Sequence, residues 1–139
     1  MFPSTAKILV VDDMKTMRKV VLRSLKQEGY TNLVEAEDGV AALTCIQAAA
    51  QAGQPFDLII SDWDMPKLKG IDLLRKLRAD ARTRNVPFLM LTAEAEEKSL
   101  QEATAPDTRA SGFLNKPFRP EQLKEQMALT WAALSKKAA

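Results

Sequence analysis

Histidine is absent from this sequence, and cysteine occurs once, at position 45. Without histidine there is no Ser/His or Cys/His nucleophile pair, a zinc site loses its usual nitrogen ligand, and any phosphohistidine must come from another protein. With one cysteine, no disulfide forms within the chain. Cys45 lies in the Ala-rich segment VAALTCIQAAA, with no base or cation beside it, and reads as a small buried hydrophobe. An excess of one charge is missing too. The 20 Lys and Arg are interspersed with 18 Asp and Glu, and a net charge of +2 gives no reason to expect a nucleic-acid partner. Long apolar runs are lacking, so no segment spans a bilayer, and Met1 to Lys7 has neither the basic start nor the apolar centre of a secretory signal. The expectation is a soluble cytoplasmic protein without a membrane partner.

What is present suits one folded unit. With 46% hydrophobic and 27% charged residues, residues 1–139 read as a single domain with a core over about 6–135. KILVV is a short strand, and Met17, Val20, Val21, Ser24 and Leu25 follow at helical spacing up to Gly29, a C-cap. TNLVEA predicts a second strand, Asp38 an N-cap, and the stretch to about Ala52 a second helix. Gly53-Gln54-Pro55 breaks that helix, and FDLIIS reads as a buried strand. Ile71, Leu73, Leu74 and Leu77 mark a third helix after Gly70. VPFLML is a fourth strand, AEEKSLQEAT a fourth helix and SGFLN a fifth strand. Pro120 opens a last helix with Leu123, Met127, Thr130, Trp131 and Leu134 on one face, and the tail SKKAA is expected to fray.

Five strands alternating with five helices imply an α/β fold, a doubly wound five-stranded parallel sheet covered on both faces as a three-layer sandwich. Such a sheet commonly takes the order 2-1-3-4-5 and binds ligands beyond the C-terminal strand ends, at the switch point between strands 1 and 3. A lone Asp after an apolar run is usually a turn residue or a helix cap. Here the junction recurs. The strand ends deliver Asp12-Asp13, then Asp62, Thr92 and Lys116. Strands lie about 4.8 Å apart, so acids on strands 1 and 3 can share one cation, while only a long side chain such as Lys116 reaches from strand 5 to Asp62.

Three converging carboxylates raise one another's pKa, and a divalent cation removes the conflict. Hard oxygen ligands without His or Cys favour Mg²⁺ with retained waters. With Mg²⁺ on one side and Lys116 on the other, an Asp62 oxygen is placed to attack phosphorus in line. The resulting aspartyl phosphate adds a charge of about −1.5 to −2, and its oxygens can recruit the Thr92 hydroxyl and the Lys116 ammonium. Thr92 moving inward would vacate space for Phe113, which outlines a two-state switch.

The stretches ILVVDDMKTMRKVV, VEAEDGVAAL, LIISDWDMPKLKGIDLLRKLRAD, PFLMLTAEA and SGFLNKPF resemble the receiver domains of bacterial two-component response regulators, most of all the single-domain chemotaxis regulators. They run through nearly the whole chain, in order and at family spacing. The resemblance implies a flavodoxin-like fold and a signalling switch, not an enzyme with a separate substrate, that catalyses its own phosphorylation and dephosphorylation. It implies Asp62 as phospho-acceptor and Asp12, Asp13 and the Asp64 backbone carbonyl at the Mg²⁺. Thr92 and Lys116 would contact the phosphoryl group, Phe113 would be the aromatic switch residue, and the Lys116-Pro117 bond would be cis. A histidine kinase would be the phosphodonor. The helix 4, strand 5, helix 5 face would bind a phosphorylation-dependent protein target, and a phosphatase is a further possible partner.

Four departures stand out. Asp64 replaces the Asn frequent in chemotaxis regulators, Phe113 replaces a common Tyr, Glu96-Glu97 fall where basic residues are usual, and ATAPDTRAS is about two residues long for the family. Neither phosphoryl lifetime nor partner identity therefore transfers. Met14 and Met17 read as packing residues, Trp63 as half-exposed beside the site, Lys67 and Lys69 as a solvated loop, and Trp131 as helix-face packing. No output domain is evident, so the output is expected to be a binding event. Two alternatives stay open. One is a phosphorelay intermediate that passes its phosphoryl group on. The other is a flavodoxin-like FMN carrier, against which the first loop offers acids in place of a Ser/Thr/Gly-rich phosphate cradle.

Overall fold

The three central strands of the computed structural model are short, largely apolar runs that end where a polar residue takes over. The structure describes residues 1–93, 105 and 108–138. In chain order the elements are β1 (Ile8–Val11), α1 (Lys15–Gln27), β2 (Leu33–Ala36), α2 (Gly39–Gln51), β3 (Leu58–Asp62), α3 (Gly70–Ala79), β4 (Phe88–Thr92), β5 (Gly112–Asn115) and a C-terminal helix (Pro120–Ala138). All strand pairs are parallel, in the order β2-β1-β3-β4-β5. This is the doubly wound sheet expected from the sequence. The fourth predicted helix, AEEKSLQEAT, lies outside the described residues.

The central strands β1, β3 and β4 are buried throughout because both sheet faces are covered there. Alternate residues serve opposite faces. Leu9, Val11, Ile59, Phe88 and Met90 pack with Ala42 and Ile46 of α2 and with Leu73, Leu74 and Leu77 of α3. Ile8, Val10, Leu58, Ile60, Leu89 and Leu91 pack with Val21 and Leu25 of α1 and with Leu123 and Met127 of the C-terminal helix. Each large apolar side chain removed from water contributes on the order of 1.5–3 kcal/mol before chain entropy is counted. Register then fixes the edge. Val11 lies opposite Ala36 and Ser61, Asp62 opposite Leu91, and Thr92 opposite Asn115.

Local chemistry matches most of the predicted boundaries. Asp38 caps α2 by accepting from the Ala41 N–H at 2.7 Å, and that bond, aided by Lys67 at 3.5 Å, holds its carboxyl below the usual range. Gly29 takes φ 95° just past α1, where a side chain would be strained. Some expectations are corrected. Met14 is 59% exposed and Val20 44% exposed. Val20 sits one residue, about 100° of helix, round from the buried Val21. Cys45 is half-buried at the edge of the α2–α3 cluster. Lys67 is exposed, as a solvated loop implies, and its ammonium lies 3.5 Å from the Asp38 carboxylate. The backbone of the last helix runs through Ala138, over a stretch without Gly or Pro.

Candidate metal centre at the carboxyl edge of the sheet

Asp12 follows β1 directly and is fully buried. A bare carboxylate there would be costly, and two donors meet it: the Met14 N–H at 2.9 Å and the Lys116 ammonium at 2.9 Å. Lys116 starts beyond β5, its backbone N–H donating to the Thr92 carbonyl at 2.8 Å. From that anchor its side chain crosses β4 and also contacts Asp62 at 3.0 Å. The sequence predicted the reach to Asp62. The bond to Asp12 is an addition, and it makes the ammonium a bridge between two strands' acids.

Asp62 is the last residue of β3 and is buried, with 7% of its surface exposed. Burial pushes its carboxyl above the ordinary range; the Lys116 ammonium opposes this, and Asp12 and Asp13 push further up. Lys116 stays firmly protonated, because its bonds to Asp12 and Asp62 outweigh the opposing effect of burial. Asp13 is exposed, and one carboxylate oxygen from each of Asp12, Asp13 and Asp62 lies within 4.8 Å of the others. These oxygens suit a hard divalent cation, with solvent reaching the site on the Asp13 side.

Two residues that the motifs did not single out build this corner. Arg18, on the first turns of α1, donates from Nη1 to the Asp12 carbonyl at 2.7 Å and from Nε to Glu35 at 3.2 Å. It ties the β1–α1 turn to β2. Gly70 begins α3 against β3, its N–H donating to the Trp63 carbonyl at 2.9 Å, and a Cβ at Gly70 would collide with the Asp62 carbonyl oxygen. The helical spacing of Arg18 from Met14 was visible in sequence, but a polar residue on a helix carries no mark of what it reaches.

The other predicted site residues fall into place around this group. Thr92 is buried at the end of β4. Phe113 pairs in register with Met90 and is half-buried against the α2–α3 cluster, and the Lys116-Pro117 bond is cis. Trp63 is half-buried and held by its N–H to the Leu91 carbonyl at 2.8 Å. Asp64 is exposed, and its carboxylate is not one of the three that converge. Glu94, Glu96 and Glu97 lie outside the described residues.

Three comparisons bear on this arrangement. The family model described as the response regulator receiver domain matches residues 8–128. The chain is 42% identical to the chemotaxis protein CheY of Pseudomonas aeruginosa over 121 residues, 87% of this chain and 92% of that protein. It is 40% identical to CheY-3 of Vibrio cholerae over 121 residues, 87% and 88% of the two. Among solved structures, chemotaxis protein CheY4 of Vibrio cholerae superposes with a TM-score of 0.79 at 37% identity, covering 89% of this chain and 97% of the other. No helix among the described residues is long and apolar enough to cross a membrane.

Proposed function

The chain belongs to the response regulator receiver domain family, and from that premise we propose that it is a phosphorylation switch that accepts a phosphoryl group on Asp62 from a histidine kinase. In this reading residues 1–139 are one receiver domain. The observation that carries it is the placement of Asp62 between the Asp12-Asp13 acids and a Lys116 ammonium 3.0 Å away.

Asp12, Asp13 and Asp62, with the Asp64 backbone carbonyl, would hold Mg²⁺, which when bound supplies charge neutralisation for the phosphoryl oxygens and the carboxylates. An Asp62 oxygen attacks the phosphorus of the donor phosphohistidine. The P–N bond breaks as the O–P bond forms, and the departing imidazole nitrogen keeps the electron pair and takes up a proton. Lys116 holds the growing negative charge, at the expense of its bond to Asp12, and the Thr92 hydroxyl supplies a donor on the β4 side. The Thr92 shift and a turn of Phe113 into the vacated space would then reshape the helix 4, strand 5, helix 5 face for a protein target, in chemotaxis-type signalling. The family makes this a signalling switch rather than an enzyme with a separate substrate. A phosphorelay intermediate uses the same chemistry and differs only in passing the group to a second histidine. A flavodoxin-like FMN carrier is disfavoured by the acids at the switch point, which would repel an FMN phosphate.

Incubation with acetyl phosphate and Mg²⁺ followed by intact-mass spectrometry tests the assignment. One phosphoryl group is expected on the native chain and none on Asp62→Asn. Stoichiometric labelling of that variant would overturn it.

A further inference from the structure

At the amino end of the sheet, opposite the acids, a cavity of about 650 Å³ opens between the segment entering β4, the segment entering β5 and the C-terminal helix. Its volume falls within the range of small-molecule sites. Three arginines line it, from three separate stretches: Arg78 at the end of α3, Arg84 before β4 and Arg109 before β5. The Asn85 amide and the Ser111 and Thr130 hydroxyls share the wall, and Leu134 adds an apolar surface.

Arg78 is the fixed member. Its Nε donates to the Thr108 carbonyl at 2.9 Å, Nη1 to the Val86 and Arg84 carbonyls at 2.7 and 3.1 Å, and Nη2 to the Arg109 carbonyl at 3.2 Å. Arg109 takes φ 50°, left-handed backbone that its side chain disfavours, and its carbonyl accepts one of these bonds. The Arg109 side chain then leans across the cavity, with Nη2 3.5 Å from the Arg84 carbonyl. Arg84 and Arg109 are exposed. Among the described residues no carboxylate forms an ion pair with any of the three arginines. Burial and the neighbouring Arg109 charge together lower the Arg78 guanidinium to about 10.

Like charges gathered round a concave surface, with no counter-charge paired to them among the described residues, suit an anion. Guanidinium groups favour phosphate, which accepts two parallel N–H bonds from each. The cavity is larger than one phosphate needs, and its hydroxyl, amide and apolar walls suit the body of a small organic molecule. We propose that this cavity binds a small organic phosphate carrying at least two negative charges, held by Arg84 and Arg109 against the fixed Arg78. The site is independent of Asp62, which lies at the other end of the strands, so its failure leaves the phosphorylation reading untouched.

Titration calorimetry without Mg²⁺, using ADP, pyrophosphate, inorganic phosphate and sulfate at matched ionic strength, tests it. ADP and pyrophosphate are expected to bind at least tenfold more tightly than inorganic phosphate or sulfate. Arg84→Gln and Arg109→Gln, both at exposed positions, should each lose about tenfold in affinity. Amide NMR shifts with ADP should centre on Ser111 and Thr130. Wild-type affinity in the double variant, equal binding of sulfate, or shifts confined to the Asp62 end would overturn the proposal. So would tighter binding of a single-stranded oligonucleotide or a phosphopeptide than of ADP, which would make the surface a macromolecular one.

Discussion

At the carboxyl edge of the sheet, buried Asp12 and Asp62 meet an ammonium at 2.9 and 3.0 Å; at the amino edge, the half-buried guanidinium of Arg78 donates to four carbonyl oxygens. Both edges satisfy their polar atoms, and no buried side-chain nitrogen or oxygen among the described residues lacks a partner. They differ in what can be exchanged. A carboxylate balanced by an ammonium at the end of a long side chain can trade it for another cation, because opposite charge is all that is required. A guanidinium held by four carbonyls from two segments is locked by geometry, since each carbonyl would be orphaned if it left. The first arrangement suits chemistry that changes charge. The second suits a rigid wall.

The strongest way to break this comparison is Arg78→Ala. It should cost about 3 kcal/mol in urea unfolding, because several carbonyls lose a charged donor at once. Phosphorylation by acetyl phosphate in the folded fraction should be unchanged. A loss below about 1 kcal/mol would mean that water replaces the guanidinium and that the amino edge is not locked.

At the other edge, Asp13→Ala should weaken Mg²⁺ binding on the order of 100-fold, read by Trp63 fluorescence, and remove phosphotransfer. Metal-free thermal stability should stay level or rise, since the substitution removes a charge that faces Asp12 and Asp62. A marked fall would make Asp13 structural.

Lys116→Met sharpens the exchange argument through pH. The folded protein raises the Lys116 pKa above the ordinary lysine value of 10.5, so its contribution to stability is fully present below about 10.5 and is lost as pH rises through the folded-state value. The native chain should exceed the variant by about 2 kcal/mol at neutral pH. That gap should close in alkali. A gap independent of pH would show that Lys116 acts by packing. The variant should also bind Mg²⁺ more tightly, because no ammonium competes for Asp12 and Asp62.

The smallest effect is expected from Asp64→Asn. The exposed carboxylate two residues past Asp62 repels anionic donors only through screened solvent. Acetyl phosphate should react two- to threefold faster with the variant at low salt, with the difference shrinking as salt rises. An unchanged or slower rate would show that Asp64 is not an electrostatic gate. Glu94, the second carboxylate expected at the site mouth, lies outside the described residues.

Much of the carboxyl edge was legible in sequence because strand ends are marked by composition. An apolar run buried on both faces must stop at its first unavoidable charge, so Asp12, Asp62, Thr92 and Lys116 announced their own positions. Strand order followed from the alternation of elements, and order alone made the acids neighbours. Caps were equally local: Asp38 needed only the Ala41 N–H three residues on. The misplacement at Val20 came from reading every apolar residue on a helix as packed, although the helix turns about 100° per residue; Met14 precedes α1 in extended backbone and points to no helix face.

Tertiary structure decided what long side chains reach. Nothing in the chain order says that Lys116 bridges Asp12 as well as Asp62 across 104 positions, that Arg18 holds the Asp12 carbonyl, or that Gly70 is pressed against the backbone of Asp62. The arginine cavity is the clearest case, since Arg78, Arg84 and Arg109 carry no motif in the sequence and gain a shared meaning only where α3 and the segments entering β4 and β5 converge. Periodicity and composition encode where a backbone element is buried, because burial acts on each residue in turn. The partner of a flexible charged side chain depends on where other elements end in space, and that is set by packing rather than by any local signal.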